Sequence, residues 1–311
     1  MSEQPKVAIV GGGPWGRALT LAAQNAGAVT SAFSRKADAV PPGVTRIESL
    51  RDVGRAARLI VLAVPSAAAA DVARALGDGL DGSHLVVHAV RGFAGDGLET
   101  ISDVIRRETP VRRVGALGGP VLAEDLAAGR PSVIVSGSNF PEVNAAIEAA
   151  FGWRGTRIYP TSDLLGLEWA SALVGCLAIG VGYAIEQGMS AGLVAAVICR
   201  GIDEAARIAA EAGGDERTLL GLAGYGDLLA CIAQRERPEM RLGVALAQGL
   251  SLGEAVAATK LRVEAVELIP RIVRWTEARG LRAPILSTLA HGVFEKKPAA
   301  ELVAELMAFP R

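Results

Sequence analysis

Three glycines near the start of the chain, Gly11, Gly13 and Gly16, carry the first spacing that could do chemistry. They fit G-x-G-x-x-G and follow Lys6-Val-Ala-Ile-Val10, a short apolar run of the kind that forms a buried strand. Such a strand turns sharply into a helix beginning near Pro14. Gly11 permits the turn, Gly13 lets a pyrophosphate approach the backbone, and Gly16 lets the helix pack close to the strand. The first helical N–H groups then face the anion. Glycine is abundant, 37 of 311 residues, so the pattern alone is weak. Its place between a strand and a helix favours a dinucleotide cradle over a purely structural turn.

Two further positions lie where such a cradle needs chemistry. A second strand over 28–33 leads into Ser34-Arg35-Lys36. An acidic residue there would hold both ribose hydroxyls of NAD, whereas two cations suit the 2′-phosphate of NADP, so NADP is favoured over NAD. A solvated basic turn is the plainer alternative. The strand 84–90 leaves Arg91-Gly92 at its carboxyl end, where ligands gather in doubly wound sheets. Gly118-Gly119-Pro120 forms another turn at the end of a strand over 113–117. His88 reads as a satisfied strand histidine, and His84 and His291 have no motif around them.

Composition narrows the partners. A net charge of −1 without a long basic cluster points away from nucleic acid and anionic membranes, toward a small-molecule substrate. The early first strand leaves no room for a signal core, and the apolar stretch 172–185 reads as too short for a span, so a cytoplasmic protein without membrane insertion is expected. Cys176, Cys199 and Cys231 stand far apart in apolar surroundings and read as buried free thiols, with no metal site. Trp153, Trp169 and Trp275 read as core or interface packing residues.

The elements divide the chain. A continuous apolar run at 58–64 reads as a buried strand, and 84–90, 113–117, 131–136 and 156–159 read as further strands, with helices at 67–77, 97–107 and near 141–151 between them. From Ser162 onward only helical periodicity remains, over 163–187, 190–213, 215–232, 238–249, 252–257, 261–279, 284–293 and 298–308. The expected fold is α/β: a Rossmann-type doubly wound sheet over residues 1–160 and an all-helical substrate and dimerisation domain over 161–311. Glu168, near the start of its helix, reads as a dipole-stabilising carboxylate.

Six stretches taken together resemble the NAD(P)-dependent glycerol-3-phosphate dehydrogenase family along nearly the whole chain. They are Gly11 to Leu19, Val61-Leu-Ala-Val-Pro-Ser66, Gly119-Pro120 with Ala123-Glu124, Gly201-Ile-Asp-Glu204, Gly221-Leu-Ala-Gly-Tyr-Gly-Asp-Leu228 and Val263-Glu264. The resemblance implies a homodimer that reduces dihydroxyacetone phosphate with NADH or NADPH, feeding glycerophospholipid metabolism. It places Gly11, Gly13, Pro14, Trp15, Gly16, Arg35, Arg91, Ala123 and Glu264 at the cofactor. Gly119, Asp227 and Arg237 fall at the substrate, and Asp227 and Arg91 are the candidate catalytic residues.

The departures from that pattern concern the reaction. Hydride arriving at a carbonyl carbon leaves an alkoxide that must be stabilised and protonated. The family lysine of Gly-Ala-Leu-Lys-Asn supplies the proton, but the aligned run here is Ser171-Ala-Leu-Val174-Gly175, and valine cannot donate one. The family's Ser-Arg-Asn, ten residues after the aspartate, becomes Arg237-Pro238-Glu239, where Glu239 would repel a phosphate. A second family lysine corresponds to Arg91, and a hydroxyl residue to Val121. Three readings follow: a dehydrogenase with a shifted substrate in which Tyr225, Ser171, Arg235 or Arg237 takes a polar role, a non-catalytic NADP-binding sensor, and a glycerol-3-phosphate dehydrogenase with displaced groups.

Overall fold

The computed structural model describes residues 4–295 and 297–308. Two compact units emerge, one of residues up to Gly95 with Glu99–Glu168, the other of Asp96–Leu98 with residues from Trp169 onward.

The first unit is built on eight strands: β1 (Lys6–Val10), β2 (Val29–Phe33), β3 (Thr45–Ile47), β4 (Leu59–Leu62), β5 (Leu85–His88), β6 (Val114–Gly118), β7 (Ser132–Gly137) and β8 (Thr156–Thr161). Their order is β3-β2-β1-β4-β5-β6-β7-β8, parallel throughout except where β7 runs against β6. The chain moves outward from β1 to β3 and returns to the other side of β1 at β4. That reversal is the switch point at which the carboxyl ends of an open sheet leave a crevice for ligand.

Alternation decides which face each side chain feeds. Val7 and Ile9 of β1 and Leu59 and Val61 of β4 join one core with the helices Pro14–Asn25 and Pro141–Phe151. Ala8, Val10, Ile60 and Leu62 join the other, with the helices Ala69–Gly77 and Ile101–Glu108. Because both faces are covered, these strands read as unbroken apolar runs. Strand β3 is too short and polar to announce itself, and only Ile47 of its three residues is buried. The helix expected from residue 97 starts at Ile101, because Thr100 caps it by accepting from the Asp103 N–H.

The second unit is helical. The helix Leu164–Glu186, most of which falls in this unit, is 23 residues long and so exceeds the stretch expected to be too short for a span; it is long and apolar enough to cross a bilayer, yet 89% of its most apolar window is buried inside the fold. Its apolarity serves the core. Trp169 packs on Trp275 with ring centroids 5.0 Å apart. The stretch expected as one helix over 215–232 breaks into Glu216–Leu220, a wide π-type turn over Leu222–Gly226, and Asp227–Ala233. One burial expectation fails. Cys199 is exposed on the helix Ala191–Glu211, unlike the buried Cys176 and Cys231, because it falls on the outward stripe of that helix. Trp153 is 37% exposed, lying over a turn and donating its indole N–H to Thr156 Oγ1 at 3.0 Å.

Candidate active site

The glycine cradle forms as its spacing requires. Gly11 sits at φ +134°, and a Cβ there would lie 2.1 Å from the Ala63 carbonyl oxygen. A Cβ on Gly16 would lie 2.1 Å from the Gly11 oxygen, so helix and strand touch through bare backbone. Gly13 differs: a Cβ there would meet nothing within 4 Å. The protein's own packing does not require glycine at that position. Open space at the start of the helix Pro14–Asn25, which no side chain caps and whose first turn holds no acid, is what a pyrophosphate needs. Trp15 donates its indole N–H to the Ala89 carbonyl at 3.1 Å, so it braces the cradle against β5 and leaves phosphate to the backbone.

At the end of β2, Ser34 is buried and its hydroxyl accepts the Lys36 N–H at 3.2 Å, while Arg35 and Lys36 are exposed. Among the described residues no carboxylate lies within ion-pair distance of either cation. The residues present therefore fit a dinucleotide: Gly11, Gly13 and Gly16 would hold the pyrophosphate and Arg35 the adenosine end. Bound there, a nicotinamide cofactor would supply hydride.

Arg91 follows β5, half-buried, with Gly92 at φ +135° behind it. Gly119 follows β6 at φ +89°, where a Cβ would press to 2.7 Å from Val135 Cγ2. Ala123 opens the short helix Ala123–Ala127 and packs on the core beneath the cradle. His88, three residues before Arg91, belongs to a buried polar network that the sequence did not disclose. Glu168 accepts from the Ser102 N–H at 2.9 Å and the Ser102 hydroxyl at 2.8 Å, and His88 Nε2 lies 3.0 Å from its Oε1. Glu168 thus ties three elements together, a larger task than easing a helix dipole.

In the helical unit, Asp227 is fully buried at the start of its helix, and its Oδ1 accepts from Arg237 Nη1 at 3.0 Å. The same nitrogen lies 2.9 Å from Cys231 Sγ, a neighbour that no motif disclosed. Arg237 is thus engaged with Asp227 rather than turned to solvent. Glu239, 9% exposed, stands in the first turn of the helix Pro238–Ala247, where the helix dipole favours a carboxylate. Val174 is 0% exposed within its helix, and Ser171, one turn earlier, is 6% exposed. Glu264 opens the helix Glu264–Glu277 and pairs with Arg262 Nε at 3.2 Å.

The chain is similar to known proteins along nearly its whole length. Residues 36–144 match the model of the NAD-dependent glycerol-3-phosphate dehydrogenase N-terminus, and residues 163–304 match that of its C-terminus. A relative from Pseudomonas fluorescens, named glycerol-3-phosphate dehydrogenase (NAD(P)+), is 30% identical over 99% of this chain and 92% of its own length. One of the same name from Agathobacter rectalis is 29% identical over 97% of this chain and 95% of its own. The crystal structure of glycerol-3-phosphate dehydrogenase from Coxiella burnetii superposes with a TM-score of 0.90, covering 98% of this chain and 99% of that one at 23% identity, which speaks to the fold. The chain belongs to the NAD-dependent glycerol-3-phosphate dehydrogenase family.

Proposed function

We propose that this family member is an NADP-preferring oxidoreductase acting on a small anionic carbonyl or alcohol, with impaired reduction of dihydroxyacetone phosphate. The observation that carries the reading is the state of two positions: Val174 is buried and apolar where the family resemblance asks for a lysine, and the buried Asp227 is paired with Arg237 at 3.0 Å. Arginine stabilises an oxyanion well, but it does not surrender a proton at neutral pH, so Arg91 and Arg237 can orient an anion without replacing the missing acid. Exposed Arg35 and Lys36 support the NADP preference. Exposed Leu220, Leu222, Leu229 and Leu261 support a homodimer formed through the helical unit. A cytoplasmic place in glycerophospholipid metabolism follows the family resemblance.

The test pairs fluorescence titration of NADPH and NADH with cofactor oxidation on one sample. NADPH should bind more tightly, and Arg35→Ala with Lys36→Ala should erase the difference. Turnover of dihydroxyacetone phosphate should fall on the order of 100- to 10,000-fold below that of a relative carrying the lysine, as expected for a lost general acid. A panel of small anionic carbonyl compounds should contain a better substrate. Vigorous dihydroxyacetone phosphate reduction would overturn the reading. Tight NADPH binding with no turnover across the panel would favour a sensor.

A further inference from the structure

The helical unit holds a cleft of about 460 Å³ between the helix Ala191–Glu211 and the segment entering the helix Pro284–Phe294. None of its lining residues belongs to the Asp227–Arg237 cluster. The volume falls within the range of metabolite sites, roughly 300–1,000 Å³. Arg200, Asp203, Glu204 and Arg207 line one side, spaced three, four and seven residues from the first, so they share a helix face. Arg282 lines the other side, exposed and, among the described residues, without a hydrogen bond or ion pair.

The cleft contains three guanidinium groups and two carboxylates, and the carboxylates are occupied. Asp203 lies 3.5 Å from Arg207 Nε. Glu204 is 1% exposed, and its two oxygens accept the Ile285 and Leu286 N–H groups at 2.9 Å each. That pair of bonds fixes the Pro284 segment against the helix, so the backbone carrying Arg282 is held opposite the helix carrying Arg200 and Arg207 before any ligand arrives. Preorganisation of this kind lowers the ordering cost of binding. The amides of Ile285 and Leu286 are already committed, so recognition falls to the guanidinium forks, with Arg207 sharing its own with Asp203; such forks match planar or tetrahedral oxyanions in bidentate fashion.

We propose that this cleft binds a small dianion, a phosphate ester or a dicarboxylate, through Arg200, Arg207 and Arg282. The site goes beyond the oxidoreductase reading and stands whether or not that reading holds.

Hydrogen–deuterium exchange on the full chain tests it, with inorganic phosphate and succinate as probes at constant ionic strength. Saturable protection should appear in the 200–207 and 282–286 segments. Arg282→Ala and Arg207→Ala, both at exposed positions, should each raise the midpoint about tenfold or more while leaving the uncomplexed exchange pattern intact. Arg91→Ala in the sheet unit should not move it. Protection by phosphate alone assigns a phosphate ester, by succinate alone a dicarboxylate, and by both a general dianion site. No saturable protection of these segments with either probe, or midpoints unchanged in both arginine variants, overturns the proposal.

Discussion

At the scale of single residues, the cradle offers a sharp contrast between two glycines. Gly11 needs its missing Cβ for folding, because φ is +134° and a carbonyl oxygen stands 2.1 Å from where the Cβ would be. Gly13 has φ −72° and ψ 173°, which alanine adopts freely, and open space beyond. Gly11→Ala should therefore cost more than about 2 kcal/mol in chemical denaturation. Gly13→Ala should leave stability within about 0.5 kcal/mol and weaken NADPH binding about tenfold or more. Equal effects of both variants on stability would show that the cradle is only a packing device. The Asp227–Arg237 pair supports a second prediction at this scale. With Asp227 fully buried and the Arg237 side chain 11% exposed, Arg237→Ala removes the charged partner of a buried carboxylate and should cost about 3–5 kcal/mol. Combining Asp227→Asn with Arg237→Leu should cost clearly less than the two single changes together, and a double-mutant cycle by urea unfolding checks this.

At the scale of elements, Glu204 joins two helices, and its titration is a property of that junction. Burial pushes its pKa up to about 7 from an ordinary 4.5, against the opposing pull of the Ile285 and Leu286 amides and the nearby Arg207 and Arg200. Between those values the folded state holds a proton that the unfolded state has released, so this group's contribution is fully present below about pH 4.5 and lost as pH rises through 7. The loss amounts to roughly 3 kcal/mol at most. Unfolding free energy should thus show a downward slope between pH 5 and 7.5 that Glu204→Gln flattens; an identical slope in the variant would remove Glu204 as its source. The junction also shows why some elements were legible and others not. Strands such as β1 and β4 are buried on both faces, so their apolar runs stand out in sequence, as does the helix Pro14–Asn25 behind its glycines. Glu204 and Glu168 could not be given their partners that way, because those partners lie 81 and 66 residues away and no local pattern encodes them. The π-type turn before Asp227 was hidden for a related reason: three glycines mark a break without stating its winding.

At the scale of the whole molecule, the halves differ in what sequence could say about function. The cofactor half rests on a local motif whose geometry is nearly implied by its spacing. The proposed substrate site rests on Val174 and Asp227, on two different helices, and on Arg237 and Glu239 at the start of a third, and their charge balance shows only when folded. Among the last three, one arginine stands against two carboxylates, a poor environment for the dianion of dihydroxyacetone phosphate. Val174→Lys combined with Arg237→Ser, Pro238→Arg and Glu239→Asn would turn one net negative charge into one net positive, and would supply both a proton donor and a new counter-charge for Asp227. Val174→Lys alone would bury a second cation while Arg237 still holds Asp227, so it should destabilise the fold and gain no turnover. The fourfold variant should retain NADPH binding and gain about 100-fold or more in kcat/KM for dihydroxyacetone phosphate. A variant that folds and binds NADPH without that gain would show that the cleft's shape, and not its charge and proton supply, separates this chain from its relatives.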